Sequence, residues 1–131
     1  MRRISIVVLL LAGFAVREAD AIVPAGFEDS LVASVASPTA IAFTPDGRLL
    51  ITTQPGRLRI YQNGALLVTP ALDLASVICS NSERGLLGVA VDPSFATNGY
   101  IYLFYTFNRS GSCAQNTASA PVNRVSRFTL S

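Results

Sequence analysis

From residue 28 onward, apolar and polar positions alternate in short runs, and turn chemistry separates each run from the next. No stretch carries a sustained helical period, so the pattern predicts short β-strands joined by tight turns. Residues 27–36 form a first candidate strand, broken by Pro38 and Thr39. Ala40-Ile41-Ala42-Phe43 forms a second, ending at the turn Pro45-Asp46-Gly47. Residues 48–53 form a third, and Gln54-Pro55-Gly56 turns the chain into Arg57-Leu58-Arg59-Ile60-Tyr61. There the alternation places the Arg side chains on one face and Leu58 and Tyr61 near the other. Asn63-Gly64, the strongest short hairpin signal, leads into residues 65–69.

The second half of the chain repeats this plan. Gly88-Val89-Ala90-Val91-Asp92-Pro93 matches Ala40-Ile41-Ala42-Phe43-Thr44-Pro45 in order of type: small, branched, Ala, large apolar, polar, Pro. Residues 99–106 then answer residues 47–52, and residues 123–128 answer residues 56–61, with a longer loop at 107–122 widening the spacing. Four antiparallel strands recurring at a period in the forties predict β-propeller blades. A sandwich would give similar strands without ordered self-similarity. The expected organisation is a strand at 27–36, a first blade at about 39–70 and a partial second blade at about 86–131. Because a propeller closes with about four to eight blades, the chain reads as a fragment.

Composition narrows the chemistry. Half of the residues are hydrophobic and 14% are charged, which favours a packed body over disorder. Met1-Arg2-Arg3, the apolar run at 4–16 and Ala19-Asp20-Ala21 form a signal-peptide pattern with cleavage after Ala21. The run is shorter than the roughly 20 residues that a membrane-spanning helix needs. Secretion, to a periplasm or the exterior, is therefore the expected route. Beyond residue 21, seven Arg face six acids, a balance that gives no electrostatic case for nucleic acid or an anionic membrane. There is no His, so the commonest neutral-pH base and metal ligand is missing. Two Cys alone cannot build a structural zinc site. In an oxidising compartment, Cys79 and Cys113 are instead candidates for a disulfide. The loops carrying them emerge on one face of the second blade, and a bridge requires Cα atoms within about 7 Å.

At Glu83-Arg84-Gly85-Leu86-Leu87-Gly88-Val89-Ala90-Val91-Asp92-Pro93, continuing through Phe95-Ala96-Thr97-Asn98-Gly99-Tyr100-Ile101-Tyr102, the sequence resembles the glucose/sorbosone dehydrogenase family. Pro38 to Leu50 and Gly56 to Ile60 are similar to that family's first blade. The resemblance implies an all-β fold, the N-terminal part, about two blades, of a six-bladed β-propeller. It also implies pyrroloquinoline quinone (PQQ) and calcium on the top face, an aldose oxidised at the anomeric carbon to a lactone, and an electron acceptor that the sequence does not specify. A catalytic His, the cofactor-binding Arg and Lys and the calcium ligands are implied for later blades, so this chain alone is expected to be inactive.

Glu83 matches a family position, Gln or Glu, at the pocket mouth near the sugar, and a carboxylate there would accept a hydrogen bond from a sugar hydroxyl. The alternative for Glu83 is a turn anchor, or a partner for Arg84. Arg84 itself reads more readily as structural. Tyr100, Tyr102, Phe104 and Tyr105 read as core rather than a sugar platform. Asn108-Arg109-Ser110 matches a glycosylation sequon. Two other classes compete: a non-catalytic extracellular propeller that binds a protein or glycan, and a lactone-hydrolysing propeller with a channel metal. With blades missing, the strand at 27–36 is expected to lack pairing to any strand after residue 86. Bare apolar faces on the innermost strands are expected to favour association.

Overall fold

The computed structural model describes residues 23–116 and 118–131. The chain divides into two compact units, Met1–Ser30 and Leu31–Ser131. In the first, the described residues 23–30 hold a turn in which the Phe27 amide donates to the Pro24 carbonyl at 3.1 Å, with no strand or helix. The leader expected at 1–21 lies outside the described residues. No described helix is long and apolar enough to cross a membrane.

The second unit is two antiparallel sheets. Strands β1 (Pro38–Phe43), β2 (Leu49–Thr53), β3 (Arg57–Gln62) and β4 (Ala65–Leu66) run side by side in chain order, and β5 (Leu72–Asp73) pairs with the start of β3. The second sheet is β6 (Leu86–Val91), β7 (Tyr100–Phe107) and β8 (Val122–Thr129). Each is a propeller blade of the kind the repeat predicts.

The registers reveal how closely the blades copy each other. The innermost strand of each carries a bulge at the same repeat position, between Pro38 and Ala40 in one and between Leu86 and Gly88 in the other. A bulge shifts the alternation by one residue and re-aims the side chains beyond it. In blade one it turns Ala40 and Ala42 toward blade two, and Ile41 and Phe43 the other way.

The core lies between the blades. Leu50, Leu58 and Ile60 of blade one meet Leu86, Ile101, Leu103 and Tyr105 of blade two. Five of these Leu and Ile side chains, at 50, 58, 86, 101 and 103, are essentially inaccessible. Each contributes about 1.5–3 kcal/mol by leaving water. Hydrogen bonds stitch the same joint: the Leu86 amide donates to the Gln54 carbonyl (3.2 Å), and the Thr39 hydroxyl donates to the Leu86 carbonyl (2.6 Å).

Three local expectations are corrected. Residues 27–36 form no strand, because a strand exists through its partner and none of their backbone groups within 31–36 finds one among the described residues. The outer strand of blade one does not end near residue 70. It stops at Leu66 and resumes at Leu72 as β5, with Pro70, which has no amide proton to donate, in the gap, where the Arg59 guanidinium bonds the Leu67 and Val68 carbonyls. Tyr61 shares the face of Arg59 and not that of Leu58, since the alternation through β3 is unbroken. A short helix, α1 (Phe95–Asn98), follows the Asp92-Pro93 turn and stops at Gly99, whose φ of 64° is the left-handed cap.

Candidate functional site

Antiparallel order brings two long segments to one end of blade two, the upper end here: residues 74–85, which enter β6, and residues 108–121, which join β7 to β8. The first runs along the exit of β7. The Cys79 amide donates to the Thr106 carbonyl and the Asn108 amide to the Val77 carbonyl, both at 2.9 Å.

A disulfide then joins the two segments. Cys79 and Cys113 are bonded, with Cα atoms 5.6 Å apart, and Cys79 is buried. Arg84 makes a second tie: its Nη1 donates to the Cys113 carbonyl at 2.9 Å, while its Nε is buried without a partner. Arg84 is thus a clamp on the loop, and no ion pair joins it to Glu83 among the described residues. Glu83 is exposed at the rim beside this clamp and has no hydrogen bond among the described residues.

The segment before β6 is held to blade one as well. Gln54 Nε2 donates to the Ser82 carbonyl (2.6 Å) and the Arg84 carbonyl (3.1 Å). Gly85 admits the Gln54 backbone so closely that a Cβ would stand 2.5 Å from its carbonyl oxygen. Beneath the 108–121 loop lies a hollow of about 360 Å³, lined by Arg84, Thr106, Gln115, Asn116 and Asn123 among others. These amides, hydroxyl and guanidinium can hydrogen-bond a polyhydroxylated or anionic molecule. The amide residues were not singled out in the sequence, where they read as an ordinary polar loop.

The other marked residues lie elsewhere. Ile101, Leu103 and Tyr105 face blade one, and the Tyr105 hydroxyl lies 2.9 Å from Ser126 Oγ, so Tyr105 is core. Tyr100, Tyr102 and Phe104 face away from blade one, on the other side of β7. At the lower end, Asp92 takes hydrogen bonds from Asn98 Nδ2, the Ser94 amide and the Tyr102 hydroxyl, which hold its carboxyl below the usual range. Asp92 and Pro93 therefore build a turn. Asn108 is half-buried with Oδ1 unpartnered, and the sequon's Ser110 hydroxyl is spent on the Ser119 carbonyl (2.8 Å).

Residues 35–131 match the sequence profile of the Glucose / Sorbosone dehydrogenase family. The chain belongs to that family. It is similar to aldose sugar dehydrogenase YliI of Escherichia coli, 39% identical over 70 residues, covering 53% of this chain and 19% of the relative. Hedgehog-interacting protein of Mus musculus is 31% identical over 86 residues, covering 60% of this chain and 12% of the relative. Among solved structures, the PQQ-bound form of aldose sugar dehydrogenase from Streptomyces coelicolor superposes with a TM-score of 0.56 at 25% identity, covering 73% of this chain and 25% of that one. This family member thus spans less than a fifth of those curated relatives and about a quarter of that solved chain.

The residues present do not by themselves fit the quinone or calcium that the family implies. The chain has no His, and among the described residues no three His, Cys, Asp or Glu converge as metal ligands. The ionisable groups of the two upper loops are Glu83, Arg84 and Arg109 alone. What the upper end of blade two offers, among the described residues, is a carboxylate without a hydrogen bond, a clamped guanidinium and a polar loop held by a disulfide.

Proposed function

We propose that this family member forms the first two blades of a secreted, PQQ-dependent aldose dehydrogenase and contributes the rim of its sugar pocket. The observation that carries this reading is the family match over residues 35–131, supported by the likeness to a sugar dehydrogenase solved with PQQ bound. Sugar oxidation of this type divides its labour: the cofactor is the electron sink, and protein groups bind, orient and move protons. On this reading Glu83 accepts a hydrogen bond from a sugar hydroxyl, and the Cys79–Cys113 bridge keeps the neighbouring loop in place. The bridge also fits an oxidising compartment, and so secretion. The base and the cofactor ligands then come from other blades, and the 131-residue chain alone is inactive.

The test is dye reduction with PQQ, calcium and a panel of aldoses. A complete ring containing this chain should turn over, and Glu83→Ala should lower its kcat/KM while the isolated chain shows no activity. A complete ring that binds PQQ but oxidises no aldose, or an isolated chain that turns over, would overturn the reading. The similarity to Hedgehog-interacting protein favours a second reading, a secreted propeller that binds a protein without catalysis. A complete ring that binds no PQQ would point there.

A further inference from the structure

The Glu83 side chain makes no hydrogen bond among the described residues, so the backbone on either side of it decides where its carboxylate stands. That backbone is not relaxed. The turn at 81–84 closes through the Arg84 amide and the Asn81 carbonyl at 3.3 Å. Within it Ser82 has a φ of 56°, in the left-handed region that residues other than glycine enter at a cost. Such a conformation persists where the surroundings over-determine it.

One side chain of the neighbouring blade does so. Gln54 Nε2 donates to the carbonyls of Ser82 (2.6 Å) and Arg84 (3.1 Å), the residues immediately before and after Glu83. Two hydrogens on one nitrogen meet two acceptors, which among uncharged side chains only a primary amide provides, and Asn is one carbon shorter. The same contacts fix which way the amide points, since an oxygen turned toward two carbonyls would find no donor. Gln54 is itself anchored through its backbone: its amide donates to the Ser37 carbonyl (2.9 Å), and its carbonyl accepts from the Leu86 amide (3.2 Å).

The blade plan alone does not call for this amide. Thr106 is the counterpart of Gln54 in blade two, because each donates its backbone amide to the residue just before an innermost strand, Gln54 to Ser37 and Thr106 to Gly85. There a short hydroxyl stands, and it is turned to Asn123 Oδ1 of its own sheet (3.3 Å).

We propose that Gln54 is the positioning residue of the rim carboxylate. By holding the peptide groups on both sides of Glu83, it fixes from blade one the place where a sugar hydroxyl meets an acceptor on blade two. This rests on the reading of Glu83 as a sugar contact; Gln54 itself touches no substrate and acts only through the turn. A hydrogen bond to a sugar hydroxyl is made before the reaction and kept through it, so a loosened turn raises KM and leaves kcat nearly untouched.

The test is a double-mutant cycle in the complete ring, read by dye reduction with an aldose. Gln54→Met keeps the stem that packs against Gly85 and removes both donors, and Glu83→Ala removes the acceptor. Glu83→Ala should lower kcat/KM about ten- to hundredfold and Gln54→Met about three- to tenfold, the latter through KM. The double variant should be no worse than Glu83→Ala alone, because Gln54 has nothing left to position. Amide exchange at Arg84, whose N–H closes the turn, should speed in Gln54→Met and not in Glu83→Ala. Losses that multiply in the double variant, a Gln54→Met loss confined to kcat, or unchanged exchange at Arg84 would overturn the inference while leaving Glu83 as a sugar contact. A Glu83→Ala enzyme with undiminished kcat/KM would overturn both. If Gln54→Met does not assemble, Gln54→Asn, which keeps the amide without its reach, carries the same cycle.

Discussion

Gly85 lies where the two blades touch, and replacing it with Ala tests the joint directly. Its φ is +151°, and a Cβ there would lie 2.5 Å from the Gln54 carbonyl oxygen and 2.7 Å from Gln54 Cγ. Gln54 cannot retreat cheaply. Its carbonyl accepts from the Leu86 amide, and its side chain donates to the Ser82 and Arg84 carbonyls. Backbone strain costs about 1–3 kcal/mol, and forcing a methyl into a filled contact costs about 1–3 kcal/mol more. The Gly85→Ala variant is therefore expected to lose about 2–6 kcal/mol in all. Gly111 is the control: its φ is +75°, yet nothing lies within 4 Å of its Cβ position. Gly111→Ala should lose only about 1–2 kcal/mol, the intrinsic left-handed penalty. Urea unfolding followed by tyrosine fluorescence would compare them, since the chain has four Tyr and no Trp to mask them. Equal losses in the two variants would refute the claim that close approach at Gly85 holds the blades together.

Replacing both Cys79 and Cys113 with Ser should lower stability by about 2–4 kcal/mol, measured by denaturant unfolding, and should speed amide exchange chiefly at 108–121. Arg84→Met should cost about 1–3 kcal/mol through the lost charge-assisted bond to the Cys113 carbonyl, with faster exchange in the same loop and little change in blade one. Asp46 supplies a pH test: hydrogen bonds from Arg48 and then Thr44 depress its carboxyl from 3.8 to about 2. The folded form is thus favoured above the unfolded value, and that contribution fades as pH falls from about 3.8 toward about 2. Asp46→Asn should flatten the dependence of Tm on pH across that window, and unchanged curves would count against the pairing.

Much of the fold was legible because propeller blades are written locally. Period-two alternation, the Asn63-Gly64 turn and the ordered match between residues 40–45 and 88–93 are each short-range signals. The misses share one cause. Whether residues 27–36 become a strand depends on a partner far away in space, and the gap in the outer strand of blade one after Leu66 is where the Arg59 guanidinium reaches the Leu67 and Val68 carbonyls. Neither can be read from alternation. The pairing of Cys79 with Cys113 was readable from the topology that brings their loops together. The polar hollow under the 108–121 loop was not, since amides in a loop carry no period.

The run from Glu83 to Gly88 shows how a family motif can be separated into what the fold requires and what it leaves over. Arg84 is occupied at both ends, its carbonyl by Gln54 and its guanidinium by the Cys113 carbonyl. Gly85 is required by the approach of the Gln54 backbone, and Leu86 is fully buried in the joint. Leu87 is the extra residue of the bulge, and a Cβ at Gly88 would make only ordinary contact with Phe104, at 3.4 Å. Arg84, Gly85 and Leu86 are therefore accounted for by packing and backbone geometry. Glu83 alone is exposed, without a hydrogen bond or ion pair among the described residues, on a loop that Gln54, Arg84 and a disulfide hold still. Nothing among the described residues calls for a carboxylate at that position. Its unspent acceptor capacity is what the proposed role, taking a hydrogen bond from a sugar hydroxyl, would use.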